Sequence, residues 1–139
     1  MFIAFSQRGP GGPLQQGLYA HPQLIALVAG YAGSPVRPCG TQASYSLYRD
    51  VVGCDLALIT CLYDNHPGAT GGSTEIWFEE GLTPLQHLRQ GAGNGPTRLA
   101  LLPGQTMLLH GGVLPHRILP TEAGRLRIVS LMCFEMLTG

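Results

Sequence analysis

The sequence predicts a mainly β protein, an antiparallel barrel or jelly roll behind one leading helix. Three observations predict it. Beyond residue 40 the apolar residues recur with a period of two, the spacing that puts alternate side chains on one face of a strand. These runs are short and are separated by Gly- and Pro-containing turns, as in sandwiches and barrels. A helical period appears clearly once, near the N-terminus, and no strand–helix alternation follows it that would suggest a parallel sheet.

Taken in order, residues 7–14 (Gln-Arg-Gly-Pro-Gly-Gly-Pro-Leu) are too rich in Gly and Pro for a regular element. Residues 1–20 are therefore expected to be a flexible lead-in to a single domain over 21–139. His21-Pro22 opens the helix, with Leu24, Ile25, Leu27, Val28 and Tyr31 spaced by three and four, and Gly30 or Gly33 ends it. Pro35, Pro38 and Gly40 break the pattern. Ser44 to Tyr48 alternates, and Asp55 to Tyr63 is almost continuously apolar, the pattern of a strand buried on both faces. Asp64-Asn65-His66-Pro67-Gly68 and Gly71-Gly72 read as turns, with a strand over Ser73 to Phe78 after them. Leu82, Leu85 and Leu88 predict a short helix before a loop over 91–96. Strands are expected over 98–102, 106–110, 113–119 and 125–134.

Composition excludes some functions. The chain has 139 residues, of which 45% are apolar and 12% charged, about half the usual charged share. A surface so poor in charge implies partial cover by another subunit, so a homo-oligomer is expected. The net charge is zero and all eight basic residues are Arg, leaving no lysine-bearing stripe to track phosphates; nucleic acid is not an expected partner. No stretch reaches the roughly eighteen apolar residues of a membrane span. The four Cys, at 39, 54, 61 and 133, form no Cys-x-x-Cys pair, and three lie in apolar runs where buried free thiols are expected. The expected setting is reducing and cytoplasmic.

The candidate chemistry lies in the last third. Gly-Gln-Thr-Met-Leu-Leu-His-Gly-Gly-Val-Leu-Pro-His-Arg-Ile-Leu-Pro (104–120) sets His116 beside a turn, and Arg125 and Arg127 follow nine and eleven residues later. An imidazole and a guanidinium on neighbouring strands can hold a metal beside an anion. His110, His66, His21 and His87 read better as strand-end, turn and helix residues. Glu75 and Trp77 share a strand face that suits either a substrate mouth or a barrel exterior. Gly91 to Gly95 follows a helix instead of opening one, which weakens a phosphate-cradle reading, and no nucleophile elbow or Ser-His-Asp order is present.

Together these segments resemble the iron(II)- and 2-oxoglutarate-dependent dioxygenases, whose fold is the double-stranded β-helix. The resemblance spans residues 44 to 134. It is carried by Tyr-Arg-Asp-Val-Val-Gly-Cys-Asp-Leu-Ala-Leu-Ile-Thr-Cys-Leu-Tyr-Asp (48–64), Gly-Gly-Ser-Thr-Glu-Ile-Trp (71–77), Pro-Gly-Gln-Thr-Met-Leu-Leu (103–109) and the segment through Arg127. It implies Asp50 and His116 as Fe(II) ligands, Arg127 as the anchor for 2-oxoglutarate with Arg125 as the fallback, and oxidation of a small molecule or a protein side chain. The chain departs from the family's His-x-Asp motif at Tyr48, which stands where the first His is expected. Either the metal site is incomplete or a short segment is missing between Tyr48 and Asp50. The rivals are a non-catalytic β-barrel binding module that has lost its metal, and a cupin-type isomerase or epimerase, which would need a His-x-His strand that this chain lacks.

Overall fold

A computed structural model describes residues 2–5, 12–39, 55–78, 84–91 and 93–137. Its longest strands form from two mainly apolar runs of the sequence. β3 (Leu56–Asp64) and β8 (Arg127–Met136) pair antiparallel down the middle of the larger sheet, with a bulge between Cys61 and Tyr63. β6 (Thr106–Leu109) pairs with the far edge of β3. The other edge of β8 is shared: β1 (Phe2–Phe5) runs parallel to its first half and β2 (Val36–Cys39) antiparallel to its second. A smaller antiparallel sheet has the order β5 (Thr97–Leu99), β4 (Thr74–Ile76), β7 (His116–Ile118). The expectation of a mainly β chain with antiparallel sheets holds, but neither sheet closes into a barrel among the described residues.

The apolar character of β3 and β8 on both faces follows from what covers them. Met132 and Phe134 of β8 and Leu56 of β3 pack with Tyr19, Val28 and Val36 under the helices. On the opposite face Val129, Leu131 and Cys133 pack with Ala57 and Ile59, flanked by Leu101 and Met107. Strands with two covered faces lose the polar half of the alternation, which is why these two read as continuous hydrophobic runs.

Helix α2 (Pro22–Ala32) begins and ends where its punctuation predicts. The His21 side chain accepts the Gln23 N–H, Pro22 occupies the first turn, and Gly33 closes the helix at φ 66°, a left-handed conformation that glycine adopts without steric cost. Leu24, Ile25 and Val28 face the core, whereas Leu27 and Tyr31, expected on the same face, point outward.

Three expectations are corrected. The lead-in is not irregular throughout, since α1 (Gly12–Tyr19) forms within it and two helices, not one, precede the strands after β1. The physical reason is tertiary. Gln15 donates to Ser130 Oγ at 3.1 Å, and the Tyr19 hydroxyl enters the β2–β8 ladder between Cys39 and Cys133, giving its proton to one of their carbonyls and accepting both N–H groups. Those bonds outweigh the weak helix propensity of a segment with two glycines and a proline. Cys133, expected as a free thiol, is disulfide-bonded, whereas Cys61 is a free, buried thiol as expected. The strand expected over 113–119 shortens to His116–Ile118, because 111–114 is a turn closed by Leu114 N–H to His110 carbonyl.

Candidate functional site

Asp64 ends β3 and is fully buried, which an isolated carboxylate does not tolerate. It is satisfied from four directions. The Arg125 fork grips it through Nε (2.9 Å to Oδ1) and Nη2, Arg127 Nη1 donates at 2.7 Å, and the His66 backbone N–H donates at 3.0 Å. Arg125 Nη1 continues to the Gly71 carbonyl and, at 3.2 Å, to Glu122, and Arg127 Nη1 also reaches the Leu101 carbonyl at 3.0 Å. This knot ties the ends of β3 and β8 to the loop before β4 and to the segment after β5. Gly72 makes room for it: at φ 70°, a Cβ there would lie 2.6 Å from Arg127 Cδ.

Electrostatics matches the geometry. The Arg125 fork holds the Asp64 carboxyl well below the usual carboxylate range, against burial, which alone would raise it. In turn Asp64 pushes the Arg125 guanidinium up. Two arginines share one buried aspartate, Glu122 being half exposed, and Arg127 Nε is buried with no hydrogen-bond partner.

A second carboxylate centre lies in the small sheet. Glu75, on β4, is directly opposite Arg98 on β5 and Arg117 on β7, and accepts from them at 2.7 and 2.6 Å. Burial pushes Glu75 up, but the two arginines outweigh it and the net shift is downward. Cross-strand pairs of opposite charge stabilise a sheet, and this one clamps both neighbours of β4.

The sequence-derived candidates are distributed as follows. Arg125 and Arg127 meet on Asp64, a residue read from the sequence as part of a turn. His116 opens β7, opposite Ile76, and is buried. Its Nδ1 bonds the Leu114 carbonyl at 2.8 Å, and since a carbonyl only accepts, Nδ1 is the donor. With Nδ1 so engaged, Nε2 is the nitrogen that a metal would take. His116 belongs to the small sheet and Arg127 to the large one. Asp50, Tyr48 and the suspected break between them lie outside the described residues. Among the described residues no group of three His, Cys, Asp or Glu side chains converges on one point. His110 stacks at a tilt on Tyr31, 5.7 Å between ring centroids, and His66 bonds Asn65 in an exposed turn.

Comparisons of the chain with family models, curated proteins and solved structures yield no match.

Proposed function

We propose that the chain is a jelly-roll protein of the iron(II)- and 2-oxoglutarate-dependent oxygenase kind, in which His116 and Asp50 ligate the metal and Arg127, with Arg125 beside it, faces the anionic end of the cosubstrate. The observation that carries the reading is the nesting of the strand pairs. A long hairpin rolled into two sheets pairs its eight strands first with last, third with sixth and fourth with fifth. Counting β2 as the first strand of the roll, β2 pairs with β8, β3 with β6 and β4 with β5, while β3 lies beside β8 and β4 beside β7. The reading requires one more strand between β2 and β3, beside β7. The alternation over Ser44 to Tyr48 predicts a strand in that interval, and Asp50 follows it.

The fit of the groups is uneven. His116 is buried at the start of β7, with Nδ1 held by the Leu114 carbonyl and Nε2 as the nitrogen a metal would take. The arginines supply the positive end of a carboxylate site, but Asp64 already engages both. A dicarboxylate must therefore exchange with Asp64 for the Arg127 donors or use the Arg127 Nε that Asp64 leaves unpaired. When bound, iron and 2-oxoglutarate would supply the oxidising chemistry; the chain would supply the imidazole, the guanidinium and a dry surrounding. The substrate is a small molecule or a protein side chain.

The engagement of Asp64 favours one other reading, a non-catalytic binding module that keeps the roll without the metal. Anaerobic titration with Mn(II) as an inert stand-in, with and without 2-oxoglutarate, separates the two. The oxygenase reading expects metal binding that tightens in the presence of 2-oxoglutarate and falls at least about tenfold in His116→Ala. With Fe(II) and oxygen it also expects succinate release, which the same variant abolishes. Absence of metal binding, or succinate release unaffected by His116→Ala, overturns it.

A further inference from the structure

We propose that the face of the small sheet opposite His116 carries a second binding site, a pocket for a small aromatic carboxylate. Alternation along β7 puts His116 and Ile118 on one side and Arg117 on the other, so this pocket is separate from the candidate metal position. The cavity, about 320 Å³, lies between Trp77 just after β4, Arg117 of β7, the short helix α3 (Leu85–Arg89) and the loop through Gly95 and Pro96, and holds roughly ten waters' worth of volume. That suits a single-ring compound and is too little for a nucleotide or a peptide.

Its lining is amphiphilic in one direction. Trp77, Leu88 and Pro96 make the apolar walls, and Arg117 brings the charge. Arg117 is built into place: its Nε donates to the buried Glu75 at 2.6 Å, and its guanidinium lies 5.6 Å from the centroid of the Trp77 ring. No described residue accepts a hydrogen bond from its two terminal nitrogens, which keep the paired geometry a carboxylate accepts. Glu75 is shared between Arg98 and Arg117, so these three groups carry one surplus positive charge. A held guanidinium beside an aromatic wall recognises an anionic head on a flat apolar body. A purely apolar ligand would leave the donors unmatched, and an inorganic anion would leave the walls unused. Two motifs that the sequence singled out without a use, the Glu75–Trp77 face and the glycine loop through Gly91 and Gly95, meet at this cavity.

Trp77 is the chain's single tryptophan, so its fluorescence reports on this pocket alone. The test titrates the purified protein with benzoate, and with benzyl alcohol and acetate in parallel, in the wild type, Arg117→Met and Arg117→Lys. Metal is not needed, so the result does not depend on the oxygenase reading. The expected result is a saturable benzoate response in the millimolar range or below. Benzyl alcohol and acetate should each bind at least about tenfold more weakly, and Arg117→Lys, which keeps the charge beside Glu75 but loses the fork, should weaken benzoate by a similar factor. Arg117→Met should abolish saturation; if it does not fold, the lysine variant and the ligand series decide. An unsaturable benzoate response, equal binding of benzoate and benzyl alcohol, or wild-type affinity in Arg117→Lys overturns the proposal.

Discussion

Among the described residues, Asp64 is the one on which most of the buried charge depends. Asp64→Asn preserves its shape and removes its charge, leaving two buried guanidiniums opposite an amide. Breaking a buried pair by removing one partner costs about 3–5 kcal/mol, a large fraction of a domain's stability. The pH dependence follows from the depressed carboxyls of Asp64 and Glu75. A carboxyl whose folded pKa lies below its unfolded value binds more protons in the unfolded chain. The stability it contributes is therefore complete above the unfolded value, near pH 4, and is lost as the pH falls further toward the folded one. Melting temperatures from circular dichroism should accordingly be level between about pH 5 and 7 and drop steeply below about pH 4. The same curve for Asp64→Asn should start lower and fall less. A variant as stable as the wild type at pH 7, or one with an unchanged acid limb, would remove Asp64 from this role.

At the scale of elements, α1 depends on two side chains one helical turn apart. Gln15 and Tyr19 both reach β8, and the Tyr19 ring meets Phe134 edge-on at 5.2 Å. Burial pushes the Tyr19 hydroxyl up to about 12, so it remains a neutral donor and acceptor throughout the range in which the protein is folded. Tyr19→Phe keeps the ring contact and strands the Cys39 and Cys133 backbone groups, a loss of about 1–3 kcal/mol, to be read from denaturant midpoints. Amide exchange in α1 should rise by more than in α2, and equal protection of the two helices would contradict the dependence. This helix also explains what the sequence conceals. β3, β8 and α2 are legible because each carries its own local signal: continuous apolar character, or a Pro start with a Gly stop. α1 has none, since Gly12, Pro13 and Gly17 argue against a helix and its reasons lie in residues more than a hundred positions away. The site divides in the same way. His116, Arg125 and Arg127 are visible by type and spacing, but Asp64 is 61 residues from Arg125 and sits in a string of turn-formers, so nothing local marks it as their partner.

Over the whole molecule the distribution of charge is more informative than its sum. No Asp, Glu, Lys or Arg occurs between Arg8 and Arg37, the interval that contains both α1 and α2. On the outer side of these helices Leu14 is 86% exposed, Leu27 70%, Tyr31 60% and Leu18 53%. So many exposed large apolar side chains on two neighbouring, uncharged helices mark a candidate interaction surface. A membrane surface is a poor occupant, because interfacial helices bind anionic lipid through Lys or Arg on their polar side, and these helices have neither. We propose a second copy of the chain instead: in a two-fold interface each patch meets itself, and a patch without charge does so without repulsion. The wild type should therefore shift from monomer to dimer between about 1 and 200 µM in light scattering coupled to size exclusion. Leu27→Glu should remain monomeric over that range, because the symmetry brings two carboxylates toward one another. Leu27 is exposed in the single chain, so the substitution should alter the melting temperature of the dilute protein little, within about 0.5 kcal/mol of stability. A wild type that stays monomeric at the upper concentration, or a glutamate variant that dimerises equally well, would mean that this face does not meet its own copy.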